Sequence, residues 1–406
     1  MHLVSPLLTL SLLSTATATA SHLWATHYNG NIYALSFSGS ELQLTDTLKT
    51  CGDMPSWLTF DSQSRILYCS NENGTADPDS NGSLTAYRAG GQGTLHQVAE
   101  TATVGGGVHS VIFEGGKGEK FLAIAHYGGS ALSTFELPIQ DNVQAKQAFH
   151  FNMTHEGAVA QQDSPHPHGV YLDPTGSFIV SPDLGADLLR VYAIDQTGQL
   201  EECPAVNVTF GNGPRHAVFW TDGTNEDDTR TGLPTHERQV AAVGKTVLYV
   251  VNEIGGTMDS FDVAYARSGC LSFQKTQTLV PYPNDTMPDG ATPAEIRLLG
   301  DTFHVSIRSD QAFAPNDSIV TLDRSPSNGA VTLRDITPSY GKVPRTVAIN
   351  KAGDLVAIGN QASSTVAIVE RDRETGELGD EIAVLKVGET GTVGTSEGLS
   401  SVVWDE

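Results

Sequence analysis

One two-strand pattern recurs along the 406-residue chain and limits what it can fold into. Each copy has a small residue or proline, a polar residue, a short apolar run, a turn, a second apolar run and a polar pair. The six copies begin at Met54, Gly107, His166, Gly213, Thr292 and Val343. Short strands that repeat at intervals of roughly 50 to 80 residues indicate a β-propeller rather than a solenoid.

The two ends of the chain complete each other. A seventh first strand, GLSSVVW, occupies 398–404 and has no partner after it, whereas HLWATHYNGNIYALSF near the start supplies later strands without a first one. Closing a ring in this way leaves few open sheet edges. With 41 glycines, 19 prolines and only short apolar runs, the sequence predicts an all-β, seven-bladed β-propeller that forms a single domain over 21–406.

The first 20 residues have the features of a secretory signal peptide. Residues 3–13 are apolar, and Ala18-Thr19-Ala20 is a small-x-small cleavage site before Ser21. The apolar run is too short to span a membrane, which takes about 20 residues. N-glycosylation sequons, which fit a secreted and extracellular protein, occur at Asn73, Asn81, Asn152, Asn207, Asn284 and Asn316.

Cysteines and charge narrow the possible partners. Four cysteines allow three pairings, of which we favour Cys51–Cys69 and Cys203–Cys270. The formal net charge of −24 disfavours nucleic acid and anionic membranes, because both bind basic surfaces. We therefore expect a monomer that carries N-glycans and acts on a small molecule.

The repeat brings polar residues to one end of the ring. In a propeller the first strand of each blade lines the axis, so its start and the end of the second strand lie at the same mouth. The position after the proline-like residue holds Ser56, His109, His168, Arg215, Ala294, Arg345 and Ser400. The next position holds Trp57, Ser110, Gly169, His216, Glu295, Thr346 and Ser401. The end of the second strand holds Glu72, Tyr127, Asp183, Glu253, Arg308, Gln361 and Tyr28.

Convergence of histidine, arginine and carboxylate side chains on one concave mouth predicts a functional site. The alternative is that these charges only pair with one another in a solvated channel. His166 is interpreted as structural, because strand neighbours alternate faces. No Cys or His spacing typical of a metal site, no Gly-x-Ser-x-Gly elbow and no phosphate-binding loop occurs. We predict no metal and no cofactor. Two polar segments, 221–245 and 281–291, are predicted loops and candidates to cover the mouth.

Several motifs resemble those of the seven-bladed β-propeller lactonase family. They are HPHGVYLDPTGSFIVSPDLGADLLRVY, AIAHYGGS, GNGPRHAVFW, LYVVNEIGGTMDSF and the segment 343–369. The family includes bacterial 6-phosphogluconolactonases, a fungal 3-carboxy-cis,cis-muconate lactonizing enzyme and secreted fungal aldonolactonases, and the resemblance spans nearly the whole chain after the signal peptide. It implies a cofactor-free site at His168, Arg215, Glu253 and Arg308.

The residue types at these positions suggest roles. His168 would act as general base, Glu253 would orient a water or the imidazole, and the two arginines would stabilise an oxyanion. The predicted substrate-binding residues are His109, Tyr127, Asp183, Glu295, Arg345 and Gln361. The family's usual Asn-Tyr-Gly-Gly is His126-Tyr127-Gly128-Gly129 here, and its Asn-Arg-Gly is Ile307-Arg308-Ser309. These departures are expected to alter the pocket wall and hence the substrate.

Three functions remain open at this stage. A secreted member would meet unphosphorylated sugar lactones, which favours hydrolysis of gluconolactone- or cellobionolactone-type aldonolactones. A carboxy-cis,cis-muconate cyclase is the first alternative, in which the arginines would bind substrate carboxylates. A secreted propeller that binds sugar or protein without catalysis is the second.

Overall fold

A computed structural model describes residues 20–75, 77, 81–222, 244–266 and 269–406. Seven four-stranded antiparallel sheets are arranged as the blades of a propeller. The predicted all-β, seven-bladed fold is therefore confirmed. The proposed signal peptide, 1–20, lies almost entirely outside the described residues.

Six blades follow one another in the chain, and each begins with its innermost strand. Blade 1 contains β4 (Pro55–Asp61), β5 (Ile66–Asn71), β6 (Asn81–Ala89) and β7 (Leu95–Val104). Blade 2 contains β8 (Gly107–Glu114), β9 (Lys120–His126), β10 (Ala131–Glu136) and β11 (Gln147–His150). Blade 3 contains β12 (Tyr171–Leu172), β13 (Phe178–Asp183), β14 (Leu188–Ile194) and β15 (Leu200–Asn207). Blade 4 contains β16 (Pro214–Thr221), β17 (Thr246–Asn252), β18 (Thr257–Tyr265) and β19 (Leu271–Leu279).

The remaining strands complete the ring. Blade 5 contains β20 (Thr292–Leu299), β21 (Thr302–Arg308), β22 (Ser318–Arg324) and β23 (Val331–Pro338). Blade 6 contains β24 (Pro344–Ile349), β25 (Leu355–Asn360), β26 (Thr365–Arg371) and β27 (Leu378–Lys386). Blade 7 joins the C-terminal β28 (Leu399–Trp404) to β1 (Ser21–His27), β2 (Asn31–Ser38) and β3 (Glu41–Lys49). The predicted closure is confirmed, because Trp404 pairs with Leu23 across β28 and β1.

Helical structure in the described residues is limited to three single 3₁₀ turns. They are Gly91–Gly93, Ala160–Gln162 and Pro283–Asp285. None of the helices in this part of the chain is long and apolar enough to cross a membrane.

The core lies between the faces of neighbouring blades. Strand alternation places Val180 of β13 and Val250 of β17 in one cluster between blades 3 and 4, and both are fully buried. Each buried side chain of this size stabilises the fold by about 1.5–3 kcal/mol. Because every blade packs on two neighbours, the ring holds its axial strands in fixed positions.

Both predicted disulfides form, and each joins neighbouring blades. Cys51–Cys69 connects the chain after β3 to β5, and Cys203–Cys270 connects β15 to the residue before β19. The described residues contain no free cysteine. The first bond therefore ties closing blade 7 to blade 1.

A β-bulge interrupts the first pairing of the innermost strand in six blades. In blade 4, Pro214 pairs with Asn252 and His216 with Val251, so Arg215 is the unpaired extra residue. The register also shifts in four other blades, between Pro55 and Trp57, Gly107 and His109, Pro293 and Ile296, and Pro344 and Thr346. In blade 7, Thr26 pairs with Ser401 and His27 with Leu399, so Ser400 of β28 is unpaired. Bulges re-aim side chains and are common beside active sites. Here they turn the start of each inner strand towards the axis.

Blade 3 reaches the same geometry differently. The regular strand β12 has only two residues, but the Pro167–Asp183 bridge and the His168 N–H bond to the Pro182 carbonyl (2.9 Å) extend the pairing to the mouth. His168 therefore occupies the bulge position of its blade.

The described ends of the two predicted mouth loops lie at opposite ends of the ring. Segment 281–291 connects β19 to β20 at the mouth end, and Gly290 lines the cavity there. Segment 221–245 leaves β16 and returns to β17 at the opposite end, because the first strand runs away from the mouth. Thr221 and Lys245, the two ends of this segment, therefore do not lie over the mouth as predicted. Residues 223–243 lie outside the described chain.

Candidate functional site

A cavity of about 470 Å³ opens at the mouth where the inner strands begin. Strand ends and bulges from blades 1 to 6 surround it, together with the segment before β28. Its lining includes Glu72, Tyr127, His168, Glu253, Arg308, Arg345, Gln361 and residues 393–396. The volume is suitable for one small molecule.

Glu253 is held between two guanidinium groups. Its Oε2 lies 2.7 Å from Arg215 Nε, and its Oε1 lies 2.7 Å from Arg308 Nη2. Burial raises the pKa of Glu253, but the charges of Arg308 and Arg215 outweigh this effect and lower the pKa to about 2. The carboxylate is therefore an anion at any ordinary pH, and it fixes both arginines.

The two arginines differ in what they present to the cavity. Arg215 is 1% exposed, and its Nη1 also donates to the Ala294 carbonyl (2.8 Å), so it lies behind Glu253 rather than on the wall. Arg308 lines the cavity, and both its Nε (3.1 Å) and Nη2 (2.8 Å) donate to the Thr292 hydroxyl. Arg308 is thus a cation in a fixed orientation at the mouth.

A second carboxylate–arginine pair lies across the ring. Glu72 Oε2 accepts hydrogen bonds from the hydroxyls of Tyr28 and Ser56, both at 2.6 Å. Arg345 Nη2 is 3.9 Å from the same oxygen, and the guanidinium lies 5.7 Å from the centre of the Tyr28 ring. Arg345 is therefore less restrained than Arg308, which leaves guanidinium N–H groups for a bound molecule.

His168 contributes a neutral imidazole to the cavity wall. Burial, followed by the nearby charge of Arg215, lowers its pKa well below the usual 6.5. Its Nδ1 is buried and has no hydrogen-bond partner among the described residues. A neutral imidazole with a free ring nitrogen is suited to accept a proton.

Tyr127 is fixed by the histidine that was predicted to be structural. The rings of Tyr127 and His166 stack at 4.1 Å, and the His166 Nδ1 lies 2.8 Å from the Tyr127 carbonyl oxygen. The Tyr127 ring then meets His168 edge-on, with centroids 5.5 Å apart. His166 therefore supports the wall and does not line the cavity.

Six of the ten predicted site residues line the mouth cavity. They are His168, Glu253, Arg308, Tyr127, Arg345 and Gln361. Gln361 uses its amide Nε2 to donate to the carbonyls of Thr395 (2.9 Å) and Glu397 (3.1 Å). It therefore holds the segment before β28 against the mouth. Of the other four, Arg215 lies directly behind the wall, and His109, Asp183 and Glu295 lie elsewhere.

Neither His109 nor Glu295, both predicted to bind substrate, lines the mouth cavity. In blade 2 the unpaired residue is Val108, so His109 belongs to the next layer of the channel, with Trp57, His216 and Glu295. The rings of His109 and Trp57 are tilted against each other with centroids 4.2 Å apart, and Glu295 Oε1 lies 3.2 Å from His216 Nδ1. The bulge at Val108 adds one residue, so the repeat placed His109 one position too near the mouth, whereas Glu295 lies in the second position that the repeat gave it.

Asp183 is likewise one position away from the mouth. In blade 4 the N–H of Glu253 donates to the Gly213 carbonyl of the inner strand. In blade 3 the equivalent bond runs from the N–H of Leu184 to the His166 carbonyl, so Leu184 and not Asp183 has the position of Glu253. Asp183 is fully buried, and its Oδ1 accepts the N–H groups of His166 (2.7 Å) and Ala186 (3.0 Å). Its Oδ2 pairs with Arg190 at 2.7 Å. Asp183 therefore does not line the cavity where it was predicted to bind substrate, and it supports the HPH segment instead.

The role of Glu253 in orienting the imidazole is not supported either, because its partners are the two arginines. The two family departures also differ in effect. His126 is fully buried, and its Nε2 lies 2.8 Å from the Ser133 hydroxyl, so it does not reach the wall. Ser309, where the family has glycine, has a φ of 63° and lines the cavity.

Several lining residues were not predicted. Glu72, like Glu253, ends the second strand of its repeat copy, so the repeat alone could have identified it as a lining residue. Thr292, which holds Arg308, precedes the proline of its repeat copy and carried no signal of its own. The segment 393–396 lies outside the repeat, so its place was visible only in the folded ring.

Potential metal-binding side chains are not clustered in the described residues. The described residues hold no set of three or more His, Cys, Asp or Glu side chains that could bind a metal ion.

Comparisons with known proteins agree with this architecture. Residues 22–395 match the family model described as lactonase, 7-bladed beta-propeller. A protein named "Probable 6-phosphogluconolactonase" from Arthroderma benhamiae is 26% identical over 82% of this chain and 79% of its own length. A 6-phosphogluconolactonase from Formosa agariphila is 29% identical over 67% of this chain and 70% of its own.

Solved structures share the fold. The periplasmic gluconolactonase PpgL of Pseudomonas aeruginosa superposes with a TM-score of 0.73, at 23% identity over 95% of this chain and 99% of that one. The family match confirms the predicted resemblance and the predicted enzyme class. The chain belongs to the seven-bladed β-propeller lactonase family.

Proposed function

We propose that this protein is a secreted, cofactor-free lactonase that hydrolyses aldonolactones of the gluconolactone or cellobionolactone type. The observation that carries the proposal is one cavity wall on which the neutral imidazole of His168 lies with the guanidinium groups of Arg308 and Arg345. A base and fixed positive charge are what ester hydrolysis requires.

The reaction follows from these residues. His168 takes a proton from water as the water oxygen bonds to the lactone carbonyl carbon. The charge on the carbonyl oxygen is stabilised by Arg308, which Glu253 and Thr292 hold in place before the reaction, and by Arg345. The bond from the carbonyl carbon to the ring oxygen then breaks, and the ring oxygen receives the proton from His168. The product is an open hydroxy acid.

The role of Arg215 in this proposal is indirect. It is enclosed by Glu253 and the Ala294 carbonyl, so it positions Glu253, and Glu253 in turn positions Arg308. Arg345 takes the place that the resemblance gave to Arg215. The predicted pair of oxyanion-binding arginines thus becomes Arg308 and Arg345.

Charge favours a second candidate. Arg215, Arg308 and Arg345 outnumber Glu72 and Glu253 at the mouth, in a chain whose formal net charge is −24. Local positive charge of this kind suits an anionic substrate. Two relatives carry the name 6-phosphogluconolactonase, and a carboxy-cis,cis-muconate cyclase reaction would use the same arginines to bind carboxylates.

Secretion is supported by three observations. β1 begins at Ser21, the first residue after the proposed cleavage site. Both disulfides form, as expected in an oxidising compartment. All six sequons lie at the mouth end, in or beside connections that start or finish strands there, and five of their asparagines are exposed: Asn73, Asn81, Asn152, Asn207 and Asn284.

The outside location favours unphosphorylated lactones, and the same fold carries a gluconolactonase in a bacterial periplasm. The test is a substrate panel on the purified chain 21–406: gluconolactone, cellobionolactone, 6-phosphogluconolactone and 3-carboxy-cis,cis-muconate. We expect the highest kcat/KM with one of the neutral aldonolactones. A higher value with the phosphorylated lactone or the muconate would replace the proposed substrate with the second candidate.

Secretion has its own test. The full chain is expressed in a eukaryotic secretory host, and the protein in the medium is sequenced from its N-terminus and mapped for glycans. A first residue of Ser21 and occupied sequons support the proposal, whereas retention inside the cell with residues 1–20 intact contradicts it.

A further inference from the structure

Below the mouth lies a layer of buried polar side chains that the proposed reaction does not use. His216 and Glu295 are each 1% exposed, and Thr346 is fully buried. They occupy the second axial position of blades 4, 5 and 6: His216 and Thr346 follow the unpaired residues of their bulges, and Glu295 lies within the bulge of blade 5. The layer therefore separates the mouth cavity from the far end of the channel.

Polar atoms in and above this layer lack partners. In the described part of the chain no hydrogen-bond partner exists for His168 Nδ1, His216 Nε2, Glu295 Oε2 or Thr346 Oγ1. A buried polar atom left unpaired costs about 1–3 kcal/mol. Four such atoms on adjacent blades would be an expensive arrangement for a purely structural layer, and water with two to four polar partners removes that cost.

The layer contacts the mouth cavity on one side and a second cavity at the far end of the channel on the other. The rings of His168 and His216 are 5.2 Å apart, and His216 Nδ1 lies 3.2 Å from Glu295 Oε1. The same oxygen lies 3.6 Å from Nε of Arg297, which lines a second cavity of about 540 Å³ at the far end, together with Trp57. Polar side chains thus extend from the mouth to the far cavity, and because the Arg297 guanidinium does not release a proton, transfer past it needs water.

Lactone hydrolysis needs such an exit. At a pH above the pKa of the new acid, each turnover yields a carboxylate and releases one proton. His168 receives this proton from the new carboxyl group, and a substrate or product in the mouth cavity separates the imidazole from the solvent on that side. The channel below is not covered by the substrate.

We propose that the axial channel holds a chain of ordered water on His168, His216, Glu295 and Thr346, and that this chain carries the released proton from His168 to the far cavity. His216 and Glu295 are then positioning residues that act through His168. The proton-transfer part of this inference rests on the proposed lactonase function, whereas the water chain does not.

The surroundings of His216 fit the role of a transient carrier. Burial, followed by the charges of Arg215, Arg297 and Arg345, lowers its pKa well below the usual value, while the charge of Glu253 acts in the opposite direction. The rings of His109, Trp57 and Tyr171 enclose His216 on its other sides. A histidine held neutral in this way accepts a proton only to pass it on.

The first arm of the test is a crystal structure of the wild-type protein at about 1.2 Å resolution or better. Water within hydrogen-bond distance, about 2.7–3.2 Å, of the four unpaired atoms supports the inference. A dry channel overturns it. This arm requires no enzymatic activity.

The second arm compares Thr346→Val and Glu295→Gln with Thr134→Val, which removes a buried, unpaired hydroxyl outside the channel. We expect kcat of the two channel variants to fall by about tenfold with KM unchanged, and the solvent deuterium isotope effect on kcat to rise. Added acetate or imidazole should restore part of kcat, because a mobile buffer replaces the relay. Thr134→Val should keep wild-type kinetics.

Wild-type kcat and isotope effect in both channel variants, or an equal loss in the Thr134→Val control, would overturn the proton path. A wild-type protein that hydrolyses no lactone would overturn the proposed function and, with it, the proton path. The water positions would still decide the hydrated channel, so the two failures can be told apart.

Discussion

Arg308 Nη2 lies 2.7 Å from Glu253 Oε1, and this ion pair connects blade 5 to blade 4 at the mouth of the channel. The other carboxylate oxygen holds Arg215, which is 1% exposed. A buried guanidinium that loses its carboxylate is strongly destabilising. Glu253 therefore has two roles, since it fixes a cation that faces the substrate and stabilises one that does not.

The first prediction concerns stability in acid. The folded-state pKa of Glu253, about 2, lies below its usual value of 4.5, so its contribution is present above about pH 4.5 and is lost as the pH falls towards 2. Glu253→Gln should lower the free energy of unfolding at pH 7 by about 3 kcal/mol at most, because the carboxylate keeps 24% exposure and water screens it.

Urea unfolding at pH 7 and pH 3 measures this effect, with Glu381→Gln on the exposed face of β27 as the control. The difference between wild type and Glu253→Gln should shrink at pH 3. An equal difference at both pH values would contradict the assigned pKa.

The second prediction is a pH–rate profile. Because burial and Arg215 lower the pKa of His168 well below 6.5, the imidazole remains neutral in mildly acidic solution. The rise of kcat/KM with pH should therefore have its midpoint well below 6.5, and the profile should be flat from there to pH 7. The measurement is initial rates after subtraction of spontaneous hydrolysis. A midpoint at or above 6.5 would contradict a depressed pKa.

The third prediction separates support from binding. Asp183→Asn removes the charge that pairs with Arg190, which is 14% exposed, and weakens the bonds to the N–H groups of His166 and Ala186. We expect a loss of about 3 kcal/mol in the free energy of unfolding and an unchanged KM for the folded fraction. Denaturant titration and steady-state kinetics on the same sample measure both. A raised KM at unchanged stability would restore Asp183 to the substrate site.

The fourth prediction tests the exchange of roles between two arginines. Arg345 lines the cavity and has one distant carboxylate partner, so Arg345→Gln should leave the fold intact and lower kcat by about 100-fold. Arg215→Gln should instead lower the unfolding midpoint in urea, because it leaves Glu253 without its buried partner. If Arg345→Gln kept wild-type kcat, Arg345 would have no part in stabilising the oxyanion.

Much of the fold could be inferred from the chain alone. The two-strand repeat carries its own turns and alternation, and the unmatched runs at the two ends determine how the ring closes. Both favoured cysteine pairs form, although the sequence alone allowed three pairings. The turns and the strand alternation are local in the chain, and the missing first strand at one end matches the spare strand at the other, which is why pattern and spacing were sufficient for the fold.

The site was harder to predict at the level of single positions. Each inner strand has a bulge or an interruption at its start, and the repeat does not reveal which residue is unpaired. His109 and Asp183 were therefore assigned to the mouth one residue away from Val108 and Leu184, which occupy the equivalent positions. The segment 393–396 was missed because it reaches the cavity only through the closed ring and the amide of Gln361.

The central claim is that His168 is the base of a lactonase. The most direct measurement is the release of acid from gluconolactone and cellobionolactone by the wild type, His168→Ala and His150→Ala, which alters an exposed histidine on outer strand β11. We expect His168→Ala to lose at least about 100-fold in kcat with its fold intact, and His150→Ala to match the wild type. Equal turnover by the wild type and His168→Ala would contradict the account.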